Sequence, residues 1–217
     1  KTVGSSLSGE DIIFFGCSTD SRTIEKGNLF IALQGEHFDG HQYISSAEKK
    51  GASSLIVDRE ISNTRPFIKV KNTRKAMGLL AKSWREKITI PLIAITGSNG
   101  KTTVKEMVTS ILSTVSSVHA TSGNLNNDIG APKTLFGLNK SHNYAVIEMG
   151  ANNLGEIEWL SKISSPNVAV ITQCAPAHLE GFKDIENVAK AKAEIYSGLQ
   201  SSGTAIINAD DIYADFW

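Results

Sequence analysis

The 217-residue chain carries 22 Lys plus Arg against 22 Asp plus Glu, a net charge of zero, and is 41% hydrophobic. That balance argues against an extended nucleic-acid footprint, while the length suits a sizeable core and two domains. No apolar run approaches the roughly twenty residues of a membrane span, and the N-terminus lacks a signal-peptide pattern. Cys17 and Cys174 match no metal or redox spacing. A disulfide between them stays open, but a reduced cytoplasmic protein is the simpler reading. The chain lacks an initiating Met and stops at Trp217 just after a predicted strand, so both ends are expected to be cut.

From the N-terminus to about Lys87 short strands and helices alternate, a small α/β domain over 1–87. Leu29 to Leu33, Ser54 to Asp58 and Phe67 to Val70 read as strands. Tyr43 to Lys50 and Thr73 to Lys87 read as helices, the second with Ala76, Leu80 and Trp84 on one face. Two loops are dense in polar groups: Ser18-Thr19-Asp20-Ser21-Arg22, and Gly35 to His41. Each is either a turn network, since Asp and Ser bond their own backbone in turns, or a binding loop.

Ile88 to Pro91 reads as the linker to a second domain, 88–217. Leu92 to Thr96 is a β-branched apolar run, a buried strand by its pattern. Gly97-Ser98-Asn99-Gly100 then makes a glycine turn before Lys101-Thr102-Thr103. From there Val104, Met107, Val108, Ile111, Leu112 and Val115 follow the spacing of one helix face. Strand, glycine turn, Lys-Thr and helix together make a phosphate cradle. Backbone amides and the positive helix end face the anion, Lys101 adds a point charge, and the Thr102 hydroxyl suits Mg²⁺. Only two residues separate Gly97 from Gly100-Lys101, against four in the usual pattern.

Further strands are expected at Tyr144 to Met149, Val168 to Thr172 and Thr204 to Asn208, with helices between. Such alternation implies a parallel sheet covered on both faces, with ligands beyond the carboxyl ends of the strands. That rule selects the 97–103 cradle, Glu148 with Gly150, and a 173–183 loop carrying His178. A carboxylate ending the apolar run YAVIE needs compensation, from a metal beside Thr102 or from a salt bridge. His178 alone is either a ligand or a solvated loop histidine. Lys192 falls in the middle of the stripe formed by Ile185, Val188, Ala189, Ile195, Tyr196 and Leu199, whereas Lys190 points elsewhere. A lysine there must snorkel, find an anion or change its chemistry. The amide-rich segment Gly123 to Pro132 either orients a polar substrate or is a turn.

Taken together, TGSNGKTT, GNLNNDIGAP, EMGA at 148–151, AHLEGF at 177–182 and VAKAKAEIY at 188–196 resemble the central domain of the Mur ligase family. STDSR at 18–22 and DGH at 39–41 resemble its N-terminal domain. The forms GNLNND and EMGA favour the member that adds D-alanyl-D-alanine to UDP-N-acetylmuramoyl-tripeptide over folylpolyglutamate synthase and the other amino-acid-adding members. The resemblance implies an ATP-dependent, Mg²⁺-requiring ligase of peptidoglycan precursor synthesis, cytoplasmic, monomeric, and without nucleic-acid or membrane partners. It implies that Lys101 and the amides of 97–103 bind the ATP phosphates and that Thr102 and Glu148 hold Mg²⁺. It further implies a CO₂-derived carbamate on Lys192 which, with His178, holds a second Mg²⁺. Ser21 and Arg22 would meet the uridine-diphosphate end of the substrate, and Asn127 its reacting carboxylate. Family members carry a third, C-terminal domain that this chain lacks, so a fragment that binds without catalysis is one alternative. A P-loop kinase or NTPase is another, but it does not account for Lys192.

Overall fold

The computed structural model describes residues 6–62, 65–176 and 179–217. Two compact units span 1–80 and 81–217, each with its own sheet.

In the first unit the chain runs β1 (Ser6–Ser8), β2 (Cys17–Ser18), β3 (Leu29–Ile31), a 3₁₀ turn (Gly40–Tyr43), α1 (Ile44–Lys49), β4 (Ser54–Val57) and β5 (Phe67–Lys69). The sheet order is β1-β5-β4-β3-β2, parallel except for β1 against β5. β3, β4 and β5 start where their apolar runs predict and stop one or two residues early. β1 and β2 escape prediction because two or three residues are too short to display a period. The core joins Phe30, Ala32, Leu55 and Val57 to Ala47 of α1. Gly40 lies on the backbone of Leu33, where any Cβ would sit 2.7 Å from a carbonyl oxygen.

Helix α2 (Thr73–Arg85) carries the chain across the division at 80/81, short of the 87/88 linker read from sequence. Ile88 is buried in the core of the second unit, because an apolar residue beside the first strand finds the same interior. Ala76 is buried, whereas Trp84 is 38% exposed and donates its indole N–H to Leu138 O at 2.8 Å.

The second unit continues as β6 (Leu92–Thr96), α3 (Lys101–Ser113), β7 (Val118–Ala120), α4 (Gly130–Phe136), β8 (Tyr144–Glu148) and α5 (Glu156–Ser164). It closes with β9 (Val168–Ile171), α6 (Leu179–Phe182), α7 (Ile185–Ala193), a 3₁₀ turn (Glu194–Gly198) and β10 (Thr204–Ile206). Its sheet, ordered β10-β9-β6-β8-β7, is parallel throughout. Leu92 and Ala94, Ala145 and Ile147, Ala169 and Ile171 turn one face toward Leu135, Ile157, Leu160, Ile163 and Ile195. β6 is central: β8 flanks it on one side and β9 on the other. The strand order reverses there, with β7 and β8 added on one side of β6 and β9 and β10 on the other, the point at which α/β sheets leave a crevice beyond their carboxyl ends.

Three expectations need correction here. The buried face of α3 is not the apolar stripe, for Met107, Ile111 and Val115 are 59%, 68% and 77% exposed. The residue turned fully inward is Lys105, whose ammonium bonds Thr121 O at 2.9 Å and pairs with Glu106 at 2.6 Å, so the chain supplies partners for a buried cation. The amide-rich segment is shorter than read, because Gly130 to Pro132 already belong to α4. The stripe carrying Lys192 likewise divides between α7 and the following 3₁₀ turn.

Candidate active site

At the end of β6 the Thr96 hydroxyl donates to Met149 O at 2.8 Å, tying β6 to the residue after β8. The chain then turns through Gly97 (φ 148°) and Gly100 (φ 78°), left-handed conformations that glycine adopts without a Cβ clash. Gly100 heads α3, whose first intrahelical bond runs from Val104 N to Gly100 O at 2.9 Å. The amides of Lys101, Thr102 and Thr103 therefore have no acceptor within the helix, and they form an anion-facing end. Asn99 sits at the crown of the turn. The amide of Ser98 donates to Gln173 O at 2.9 Å, so it faces the loop after β9.

Lys101 folds back over the turn, its ammonium 2.7 Å from Gly97 O and 3.2 Å from Ser98 O. Burial lowers its pKa, and the charge of Glu148 partly restores it. A phosphate arriving over the amides would offer that ammonium a full charge in place of two carbonyl dipoles.

Glu148 ends β8 with 1% exposure. Oε2 accepts from the Thr102 hydroxyl at 2.8 Å, and Oε1 from the Asn126 amide, also at 2.8 Å. The amide N–H of Glu148 is held by Thr121 Oγ1 at 3.0 Å. Sequence offered a metal or a salt bridge as the compensation; the structure gives the carboxylate hydrogen bonds from two neutral donors, the Thr102 hydroxyl and the Asn126 amide. A hydroxyl and a carboxylate side by side at a phosphate cradle are hard oxygen donors of the kind Mg²⁺ takes. Among the described residues no group of three or more His, Cys, Asp or Glu is placed to hold a metal ion, and phosphate oxygens and water would complete the shell.

Asn126, which meets Glu148, escaped the sequence reading, which named Asn127 for the substrate carboxylate. Asn127 Oδ1 accepts from the amides of Ile129 (3.2 Å) and Gly130 (2.9 Å), fixing the head of α4. Gly150 was the available clue: its amide bonds Asn126 O at 2.9 Å, and a Cβ there would lie 3.0 Å from the Asn126 side chain.

Lys192, on α7, is 2% exposed, with its ammonium 5.6 Å from the centre of the Phe182 ring. Burial, and then the charge of Lys101, push its pKa down to about 8. The charge of Lys101 thus reaches Lys192, whereas Lys190 is exposed. His178 lies outside the described residues.

The first unit's candidates are arranged differently. Ser21 is buried, and Arg22, with its side chain 86% exposed, is clasped by Asp20 through Nη2–Oδ2 at 2.7 Å and Nε–Oδ1 at 3.0 Å. In the second loop His41 bridges Asp39 (2.7 Å) and Asp58 (3.2 Å), and Arg59 pairs with both carboxylates. Both loops thus carry networks of polar side chains.

Two family models match the chain: the Mur ligase middle domain over residues 95–217, and the Mur ligase catalytic domain over 14–85. The chain belongs to the Mur ligase family. This Mur ligase chain is 47% identical to the UDP-N-acetylmuramoyl-tripeptide--D-alanyl-D-alanine ligase of Escherichia coli, over 94% of its own length and 45% of the relative's. It is 50% identical to the Haemophilus influenzae protein of the same name, over 92% and 45%. A crystal structure of MurF from Acinetobacter baumannii superposes with a TM-score of 0.93 at 40% identity, covering 99% of this chain and 48% of that one. MurF of Thermotoga maritima in complex with ADP gives 0.83 at 30% identity, covering 93% and 47%. The chain thus spans about half the length of the curated relatives it matches.

Proposed function

We propose that this chain is part of an ATP-dependent ligase that joins D-alanyl-D-alanine to UDP-N-acetylmuramoyl-tripeptide in peptidoglycan precursor synthesis. The observation that carries this reading is the 2.8 Å pair between the Thr102 hydroxyl and the buried Glu148, beside the amides of 101–103 and the Lys101 ammonium. The names of the relatives at 47% and 50% identity, and the ADP held by the Thermotoga maritima protein, support the substrates. In this reading residues 1–87 take the uridine-diphosphate end through Ser21 and Arg22, and 88–217 take ATP. The protein works in the cytoplasm as a monomer; no helix among the described residues is long and apolar enough to cross a membrane.

The reaction runs in two steps. The terminal carboxylate of the tripeptide attacks the γ-phosphorus, giving an acyl phosphate and ADP. The dipeptide amine then attacks the acyl carbon and phosphate leaves. Lys101 and the free amides of 101–103 hold the phosphates in line and offset the charge that develops on the transferring group. Thr102 and Glu148 would hold Mg²⁺, which supplies charge neutralisation between the phosphates. Lys192, its pKa lowered to about 8 by burial and the charge of Lys101, is neutral more often than an exposed lysine, and the neutral amine is the form that reacts with CO₂. Its carbamate would present the anionic oxygens that an ammonium lacks, with His178 as a partner ligand. Asn127 is assigned to the substrate carboxylate.

The test is phosphate release by the full-length protein, with each substrate omitted in turn. Release is expected only when the tripeptide nucleotide and the dipeptide are both present. Release without the dipeptide would favour a kinase or NTPase, and nucleotide binding without release a non-catalytic module.

A further inference from the structure

The segment directly after β9, residues 172–175, is bound to the glycine turn along its length. Thr172 Oγ1 lies 2.6 Å from Asn99 O and 3.3 Å from Thr96 O. Its single proton serves one acceptor well, and the shorter contact is to the crown of the turn. Ser98 Oγ donates to Ala175 O at 2.9 Å and accepts from Ala175 N at 3.0 Å, while Ser98 N donates to Gln173 O. Gly97 is matched to this buttress, for a Cβ there would fall 1.9 Å from Thr172 Oγ1.

Building on the ATP reading above, we propose that Thr172 is a positioning residue for the phosphate cradle. Its hydroxyl sets the Asn99–Gly100 peptide plane so that the Gly100 amide is presented to the nucleotide. The chain has no cis peptide among its described residues, and in a planar trans unit the carbonyl and the N–H point in opposite directions. Holding Asn99 O against Thr172 therefore turns the Gly100 N–H away from β9, to join the free amides of 101–103. Ser98 anchors the turn and is not a phosphate contact, since its amide and hydroxyl proton are both committed to 173–175. The Thr172 amide bonds Thr96 O at 2.9 Å whatever the side chain, so removing the hydroxyl leaves the strand pairing in place.

The experiment compares Thr172→Val, which keeps the branched shape, with Thr172→Ser, which keeps the hydroxyl, in the full-length protein. ADP affinity is measured by calorimetry, and KM for ATP and for the nucleotide substrate by turnover. Thr172→Val is expected to weaken ADP and raise the ATP KM about tenfold, the effect of one well-placed hydrogen bond, with the other KM unchanged. Thr172→Ser should return to within about twofold. Thr172→Ala replaces Thr172→Val if the latter does not fold. Unaltered ADP binding by the hydroxyl-free variant overturns the proposal, as does an equal rise in both KM values or a folded Ser variant no better than Val. Failure of the unsubstituted protein to bind ADP would instead overturn the ATP reading itself.

Discussion

The 18–22 loop of the first unit closes on itself through neighbouring polar groups, whereas the polar groups around β6 in the second meet across long stretches of chain. Around 18–22 Asp20 meets Arg22 and Ser18, each two residues away, and the Arg22 guanidinium stays in solvent. Around β6 the partners come from residues 96–102, 126, 148 and 172–175, brought together by the parallel sheet, and Glu148 and Lys192 are buried. A local network can form in any polar turn and stabilises the turn itself. A buried convergence of distant polar groups costs desolvation, and that cost is offset where the groups act on a ligand. Density of polar residues in the sequence is thus the weaker pointer to chemistry, and convergence at strand ends the stronger one.

Substitutions in the two regions should separate accordingly. The largest effect is expected at Lys101: Lys101→Ala in the full-length enzyme should lower ADP release at least about 100-fold, the scale for losing one preorganised charge donor. Circular dichroism should show an unchanged fold, and near-normal turnover by the folded variant would remove Lys101 from the phosphate site. Lys192→Ala should cost on the order of 100-fold, and a short-chain carboxylic acid added to the buffer should recover part of it by occupying the vacated space with an oxygen ligand. Full activity without the acid would end the carbamate assignment. In the first unit Arg22→Ala should raise the KM for the nucleotide substrate roughly tenfold, leaving the ATP KM unchanged, because an exposed guanidinium serves binding of a phosphate and not transfer. Equal effects on both KM values would erase the contrast between the regions.

The smallest effect concerns Cys17, beside the first polar loop, where burial raises the thiol pKa from 9.0 to about 12. The folded protein keeps the thiol proton while the unfolded chain loses it. The stabilisation is therefore complete below pH 9 and is lost as pH rises above it, by up to about 1 kcal/mol per pH unit. Denaturant titrations of the full-length protein from pH 8 to 10 should show wild type falling relative to Cys17→Ala. Parallel curves would mean that the thiol is hydrated.

The sequence alone determined the features that repeat or touch within a few residues. The β-branched run 92–96, the glycine turn and the Lys-Thr head of α3 define the cradle, because strand, turn and helix start are each set by local conformational preference. Lys192 was legible in mid-stripe because helical period places it on the buried side whatever the neighbour. The tertiary structure decided which neighbour each surface meets. It turned Lys105 inward and left Met107, Ile111 and Val115 in solvent, since Thr121 O sits where a lysine, not a methyl group, finds a partner. It chose Asn126 over Asn127 for Glu148, and it brought Thr172 to Asn99 across 73 residues of chain. Adjacent amides and hydroxyls look alike in a sequence. Only the pairing of β6 with β8 and β9 fixes which of them reaches the carboxylate and the turn.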